Sequence, residues 1–150
     1  IRQGYDIVCA SRFIPGGSMV DCPRVKAMLV HTAAFTLYHW ARVPSHDPTN
    51  GFRMFSRRVV DGIEIQSSRG FALSIELLVK VHRLGWKVAE VPTLWKERGE
   101  GQGKSRFRAF RWMPSYLRWY LYAFATTYLF RGAATVPVNK TRDEHAPLRP

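Results

Sequence analysis

Apolar residues run without a break through Ile7-Val8-Cys9-Ala10, bounded by Asp6 on one side and Ser11-Arg12 on the other. A short continuous run of this kind predicts a strand covered on both faces, as in a parallel sheet. Over 23–42, Val25, Leu29, Thr32/Ala33, Thr36/Leu37 and Trp40 recur at helical spacing and predict a helix with one face packed on that sheet. Phe52-Arg53-Met54-Phe55 reads as a short strand and 57–63 as a short helix with Arg57 and Arg58 exposed. Phe71, Ile75, Leu78, Val81 and Leu84 then share one helical face, with Gly85 as the stop. The next strand, 86–92, ends at Pro92, which marks a strand end or a sheet edge. Helix, glycine, strand is the αβ half of a crossover, so the fold class is α/β.

From 107 to 130 the pattern changes to Trp, Tyr and Phe interleaved with Arg108, Arg111 and Arg118. A spanning helix needs about 20 largely uncharged residues. Arg118 and Pro114 interrupt this one, so no span is assigned. Two readings stand: a helical segment at a lipid headgroup interface, where each ring has one apolar and one wet edge, or a helix or two packed on the domain or on a second subunit. Residues 132–150 are polar and proline-containing and read as a disordered tail. The expected division is therefore 1–106, 107–131 and 132–150. The chain opens without Met on Ile1-Arg2-Gln3-Gly4, which reads as one element running into a strand and suggests a fragment.

Charge narrows the partners. The chain has 23 Lys and Arg against 11 Asp and Glu, a net charge of +12, which favours a polyanion: nucleic acid, a phosphorylated substrate or an anionic membrane surface. Cys9 and Cys22 have no metal-type spacing, and a reduced cytosolic setting fits them.

Candidate chemistry gathers at His46-Asp47-Pro48-Thr49-Asn50-Gly51-Phe52-Arg53. Pro48 keeps Asp47 out of the helical region and Asn50-Gly51 tolerates positive φ, so the segment should be a rigid elbow displaying a carboxylate. Arg12, just past the end of a buried strand and followed by Pro15-Gly16-Gly17, is placed to meet an anion above the sheet. Glu76 is the single acid of an apolar helix and needs a partner if buried, with an arginine, Arg53, the expected one. The stretch 95–106 is a glycine-spaced basic loop. Gly103-Lys104-Ser105 resembles the tail of a P-loop but lacks the strand and helix around it, so a P-loop is rejected; a lid closing over a phosphate remains open to this loop. His31 and His39 receive no role.

Four motifs stand in order: Asp6-Ile-Val-Cys-Ala-Ser-Arg12-Phe-Ile-Pro-Gly-Gly17, Asp47-Pro-Thr-Asn-Gly-Phe-Arg53, Gly70-Phe-Ala-Leu-Ser-Ile-Glu76, and Glu90-Val-Pro92 followed by Glu97-Arg98 and the glycine loop. Together they resemble the second half of family 2 glycosyltransferases, most closely the dolichyl-phosphate mannosyltransferase-like branch. The resemblance implies the C-terminal part of a GT-A (Rossmann-like) fold. It also implies transfer of a sugar from a nucleotide-sugar donor to a polyprenyl-phosphate or glycan acceptor, with a divalent metal (Mg or Mn) gripping the diphosphate in the full-length enzyme. No Asp-x-Asp occurs in this chain, so the metal ligands are expected outside it, and the fragment alone is expected to be inactive. Where the family reads Arg-x-x-Gly-x-Ser-Lys, this chain has Arg98-Gly-Glu-Gly101-Gln-Gly103-Lys104, with Gly103 at the Ser position.

By the same resemblance Asp47 is the catalytic candidate: a base if the acceptor is a hydroxyl, an orienting group if it is a phosphate. Arg12, Arg53, Arg98 and Lys104 are candidates for binding phosphate or substrate, and Glu76 and Gly51 for structural support. The expected location is cytoplasmic, at the cytoplasmic face of a membrane. The rival readings are a basic aromatic module gripping nucleic acid, for which no helix-turn-helix or RNA-binding sheet motif is found, and a non-catalytic remnant binding membrane or partners through 107–130.

Overall fold

The computed structural model describes residues 1–67, 72–96, 109–130 and 133–139, with side chains from 113 onward in the third segment. The continuous apolar run forms β1 (Ile7–Ser11), and it is the central strand of a three-stranded sheet. On one side it pairs antiparallel with β3 (Arg53–Phe55), Cys9 opposite Arg53; on the other it pairs parallel with β4 (Val88–Pro92), Cys9 opposite Glu90. Asp6 locks the start of this sheet. Its carboxylate accepts the Ser56 hydroxyl at 3.2 Å and the Lys87 backbone N–H at 3.0 Å, tying β1 to the ends of both neighbours.

Between them lie α1 (Arg24–His39), the short α2 (Arg57–Gly62) and α3 (Ala72–Arg83). Ser56 caps α2, its hydroxyl accepting the Val59 N–H. Gly85, with φ of 70°, ends α3 in a left-handed turn, as a glycine there permits. Ile7 and Cys9 of β1, Leu37 of α1, Val59 of α2 and Ile75, Leu78 and Val81 of α3 make one core, and Trp119 and Ala123 of α4 (Ala109–Tyr128) belong to it. The aromatic segment is thus a single helix on the main body. Pro114 removes one backbone donor near its start without stopping it.

Four expectations are corrected. The face of α1 read as core is largely outside: Val25, Leu29 and Trp40 are exposed, and Ala34, Thr36 and Leu37 are the buried set. The loops flanking the site contain a second, parallel sheet, β2 (Ser18–Val20) with β5 (Leu94–Lys96), that periodicity did not reveal. The segment read as a disordered tail begins in ordered structure: Ala133–Thr135 forms a 3-10 turn, Val136 is buried, and Val138 bridges Ile63. Glu76 is fully buried but does not meet Arg53. Its carboxylate accepts Lys80 Nζ at 2.6 Å and the backbone N–H groups of Gln66 and Ser67 at 2.7 Å, because one helical turn brings positions 76 and 80 together. Lys80 Nζ also donates to Glu64 O at 2.6 Å and lies 5.1 Å from the Trp119 ring centroid. Glu76 is structural support, but for the 64–67 loop.

The turn between β1 and β2 is shaped by a close approach. A Cβ on Gly17 would stand 2.5 Å from the Ser11 carbonyl oxygen, so no side chain fits there without moving the backbone around Arg12.

Lys80→Met tests the buried pair. It leaves the Glu76 charge with its backbone donors alone, and the expected loss is about 3–5 kcal/mol, read from the urea midpoint at unchanged slope. Pairing it with Glu76→Gln should recover part of that loss.

Candidate active site

The elbow expected at 46–53 crosses the carboxyl ends of β1 and β4, where ligands of open α/β sheets bind. Asp47 is fully buried and faces Arg12, itself 9% exposed. Arg12 donates from Nε to Asp47 Oδ2 at 2.6 Å and from Nη2 to Oδ1 at 2.8 Å, a bidentate pair, and its backbone N–H adds a third bond to Oδ2 at 3.0 Å. Thr49 Oγ1 donates to Oδ1 at 3.3 Å. With every lone-pair direction approached by a donor, this carboxylate is an anchor and is poorly placed to take a proton. The remaining guanidinium nitrogen of Arg12, Nη1, meets only Met19 Sδ, at 3.7 Å, among the described residues. Arg12 thus keeps one donating edge for a ligand.

The elbow is stiff for a different reason from the one expected. Neither Asn50 nor Gly51 is in the left-handed region; the strained non-glycine nearby is Arg42, with φ of 53°. Stiffness comes from side chains. Asn50 Nδ2 donates to Ala10 O at 2.8 Å and its Oδ1 accepts the Phe52 N–H at 3.0 Å. Arg53 donates to Asn50 O at 3.0 Å, to Pro48 O at 2.5 Å and to the Ser74 carbonyl of α3. Burial pulls the Arg53 pKa below its usual value, opposed by Cys9, Asp47 and Glu90. With all three guanidinium nitrogens donating to carbonyls, Arg53 braces the elbow. Gly51 is exposed.

Beside Arg12 lies an aromatic and cationic cluster. The Trp95 ring of β5 has the Arg12 guanidinium at 5.9 Å and Lys26 Nζ at 4.6 Å, and Phe13 packs on His31 with ring centroids 4.2 Å apart. Arg98 and Lys104, the other two cation candidates, lie outside the described residues.

Glu90 and His46 carry chemistry that sequence reasoning quoted in its motifs but left without a role. Glu90 Oε1 accepts the Ser45 hydroxyl and the His46 backbone N–H, both at 2.9 Å, and Oε2 accepts His46 Nδ1 at 2.6 Å. The His46 ring stacks on Tyr38, centroids 4.0 Å apart. The available signal was a lone acid inside an otherwise apolar strand.

Among the described residues no group of three or more His, Cys, Asp or Glu is gathered to hold a metal ion. Asp47, the acid nearest such a role, is taken by Arg12. The described residues therefore do not fit the divalent metal that the resemblance implies.

A central parallel strand pair, an antiparallel neighbour and an acid–arginine pair at the strand ends are what part of a GT-A, Rossmann-like glycosyltransferase domain would present. Sequence relatives agree with this class. The chain is 32% identical over 106 residues to the polyprenol monophosphomannose synthase of Mycolicibacterium smegmatis, covering 69% of this chain and 40% of the relative. It is 30% identical over 127 residues to the dolichol-phosphate mannosyltransferase of Pyrococcus furiosus, covering 79% and 35%. It is 31% identical over 98 residues to the dolichyl-phosphate hexose transferase of Haloferax volcanii, covering 65% and 41%. The chain is homologous to family 2 glycosyltransferases of the polyprenol- and dolichol-phosphate mannosyltransferase group. It spans about two fifths of the length of these curated relatives. No family-level sequence model matches it.

Arg12→Lys keeps the charge but loses the two-pronged geometry. The expected destabilisation is about 2 kcal/mol, on the scale of lost hydrogen bonds to a charged group, measured by chemical denaturation. The thiols supply a second check. Burial pushes the Cys9 pKa up, with Glu90 and Asp47 acting in the same direction and Arg53 opposing, so at pH 8 it holds less thiolate than an ordinary cysteine. The half-buried Cys22 should react with iodoacetamide in the folded protein, and Cys9 only after denaturation; mass spectrometry of the labelled peptides decides.

Proposed function

We propose that this chain forms the acceptor side of a glycosyltransferase that moves a sugar from a nucleotide-sugar donor to a polyprenyl phosphate at a membrane surface. One observation carries the choice of acceptor. At the start of α1, Lys26 lies over Trp95 beside Arg12, while its neighbours Val25, Met28 and Leu29 are 69%, 62% and 56% exposed. A lipid phosphate asks for cations next to an uncovered apolar surface, and the first two turns of α1 supply both.

The Asp47 geometry supports the same choice. A hydroxyl acceptor keeps its proton at neutral pH and needs a carboxylate placed to take it; a phosphate monoester is already largely ionised there, and Asp47 is occupied in aiming Arg12. Arg12 would use Nη1 on a phosphate, and Arg98 with Lys104 would neutralise the departing diphosphate. Sugar transfer is then mainly a matter of holding the anionic oxygen against the anomeric carbon and excluding water. A second apolar row, Met113, Leu117 and Leu121 on α4, is exposed as well and extends the surface available to a bilayer. Among the described residues no helix is long and apolar enough to cross a membrane. In this reading the protein works at the cytoplasmic face of the membrane, and its divalent metal is held by residues other than those described.

The test uses the full-length protein, a panel of radiolabelled nucleotide sugars, and either a short polyprenyl phosphate in anionic vesicles or a soluble glycan. Label is expected in the lipid phase, and Val25→Asp with Leu29→Asp should lower vesicle co-sedimentation about tenfold. Label on the glycan alone, or sedimentation indifferent to both substitutions, would overturn the reading.

A further inference from the structure

Next to the Arg12–Asp47 anchor stands a second acid–base pair that the mechanism above does not use. A carboxylate only accepts hydrogen bonds, so the 2.6 Å contact between Glu90 Oε2 and His46 Nδ1 places the proton on Nδ1. The other carboxylate oxygen is held by the Ser45 hydroxyl and the His46 backbone N–H, which fixes Glu90 in place. Tyr38 covers one face of the imidazole. The ring is therefore set in tautomer, direction and tilt, and Nε2 carries its lone pair. The side chain is 42% exposed, and Nε2 has no hydrogen-bond partner among the described residues. A half-exposed histidine with one nitrogen held by a carboxylate and the other without a partner among the described residues has the arrangement that proton-accepting histidines use.

We propose that His46, oriented by Glu90, accepts the proton of a phosphate monoester acceptor as that phosphate attacks. The inference rests on the acceptor reading given above and names a further catalytic residue for it. A phosphate monoester gives up its second proton near pH ~6, and an anionic membrane surface concentrates protons, so part of the acceptor arrives as the monoanion. In the step, an acceptor oxygen forms a bond to the anomeric carbon. The bond from that carbon to the nucleoside diphosphate breaks with its electron pair leaving on the diphosphate, and the acceptor proton passes to His46 Nε2 and then to water. Glu90 stabilises the imidazolium that forms. The groups that bear on this titration are Glu90 from β4, Tyr38 from α1 with His39 packed against it, and the mutually paired Arg12 and Asp47 at the end of β1 and in the elbow. Cys9 and Arg53 act through their coupling to Glu90.

The experiment measures transfer by the full-length protein between pH 5 and 9 for wild type, His46→Gln and Glu90→Gln. His46→Gln is expected to lower kcat by about tenfold at pH 5–6, where the acceptor is largely the monoanion, and to leave it near the wild-type value at pH 8–9, where the acceptor is already the dianion, with the donor KM unchanged throughout. Glu90→Gln, whose amide can present N–H to Nδ1 and so invert the tautomer, should cost a comparable factor. A His46→Gln enzyme that keeps the wild-type rate at pH 5–6, or that loses the same factor at every pH, would overturn the proposal. An independent arm follows the His46 nitrogens by NMR at pH 7 as farnesyl phosphate or inorganic phosphate is added. A shift at Nε2 with both, or with farnesyl phosphate alone, supports the proposal, and no shift with either overturns it. A wild-type protein that transfers no sugar to lipid would remove the functional reading, and the NMR arm would still decide this one.

Discussion

A carboxylate taken out of water must have its oxygens met by donors, and Arg12 meets those of Asp47 with two side-chain bonds and one backbone bond, leaving its own Nη1 to Met19 Sδ. Such a pair contributes little net stability, because desolvation offsets most of the attraction; what it contributes is one permitted arrangement of the chain. Here it fixes the distance between the end of β1 and an elbow 35 residues later. The surrounding polar contacts are consistent with that one constraint. Asn50 and Arg53 fasten the far side of the elbow, and Glu90 fastens the near side through Ser45 and His46. Asp47 is thereby held on Arg12, and among the described residues of this cluster Arg12 Nη1 and His46 Nε2 have no oxygen or nitrogen partner.

The second buried pair, Glu76 with Lys80, applies the same logic to the other side of the molecule. It pins the 64–67 segment to α3 and places a cation under Trp119, so α4 is docked against α3 through a charged floor inside an otherwise apolar contact. Either pair broken on one side would leave a charge with no water to turn to.

Much of the fold was legible in the sequence because burial on both faces leaves a plain mark. β1, α3 and Gly85 were each read from apolar runs and one glycine, and each stands where it was expected. The elbow was legible as a fixed polar bend because Asp, Pro, Asn and Gly are local signals, and its polar side chains are indeed tied down. What was not legible is nonlocal. Which face of α1 turns inward is decided by what covers it, and exposed Val25 and Leu29 carry the same hydropathy as a core stripe. The pairing of β2 with β5 joins three-residue strands too short for any period to show. The partner of Glu76 was sought among arginines across space, while the helix itself supplied Lys80 one turn away. His46 and Glu90 lie 44 residues apart, and only the parallel register that sets Cys9 opposite Glu90 brings the strand acid beneath the elbow.

The absence of a side chain at Gly17 reaches further than its own turn. The carbonyl oxygen that would collide with a Cβ belongs to Ser11, the residue whose successor is the arginine paired with Asp47. A methyl group there would push on the one peptide that aims Arg12, swinging the long lever of its side chain out of line with the acid below. The smallest position in the loop thus acts as a sighting notch for the largest charge beside it.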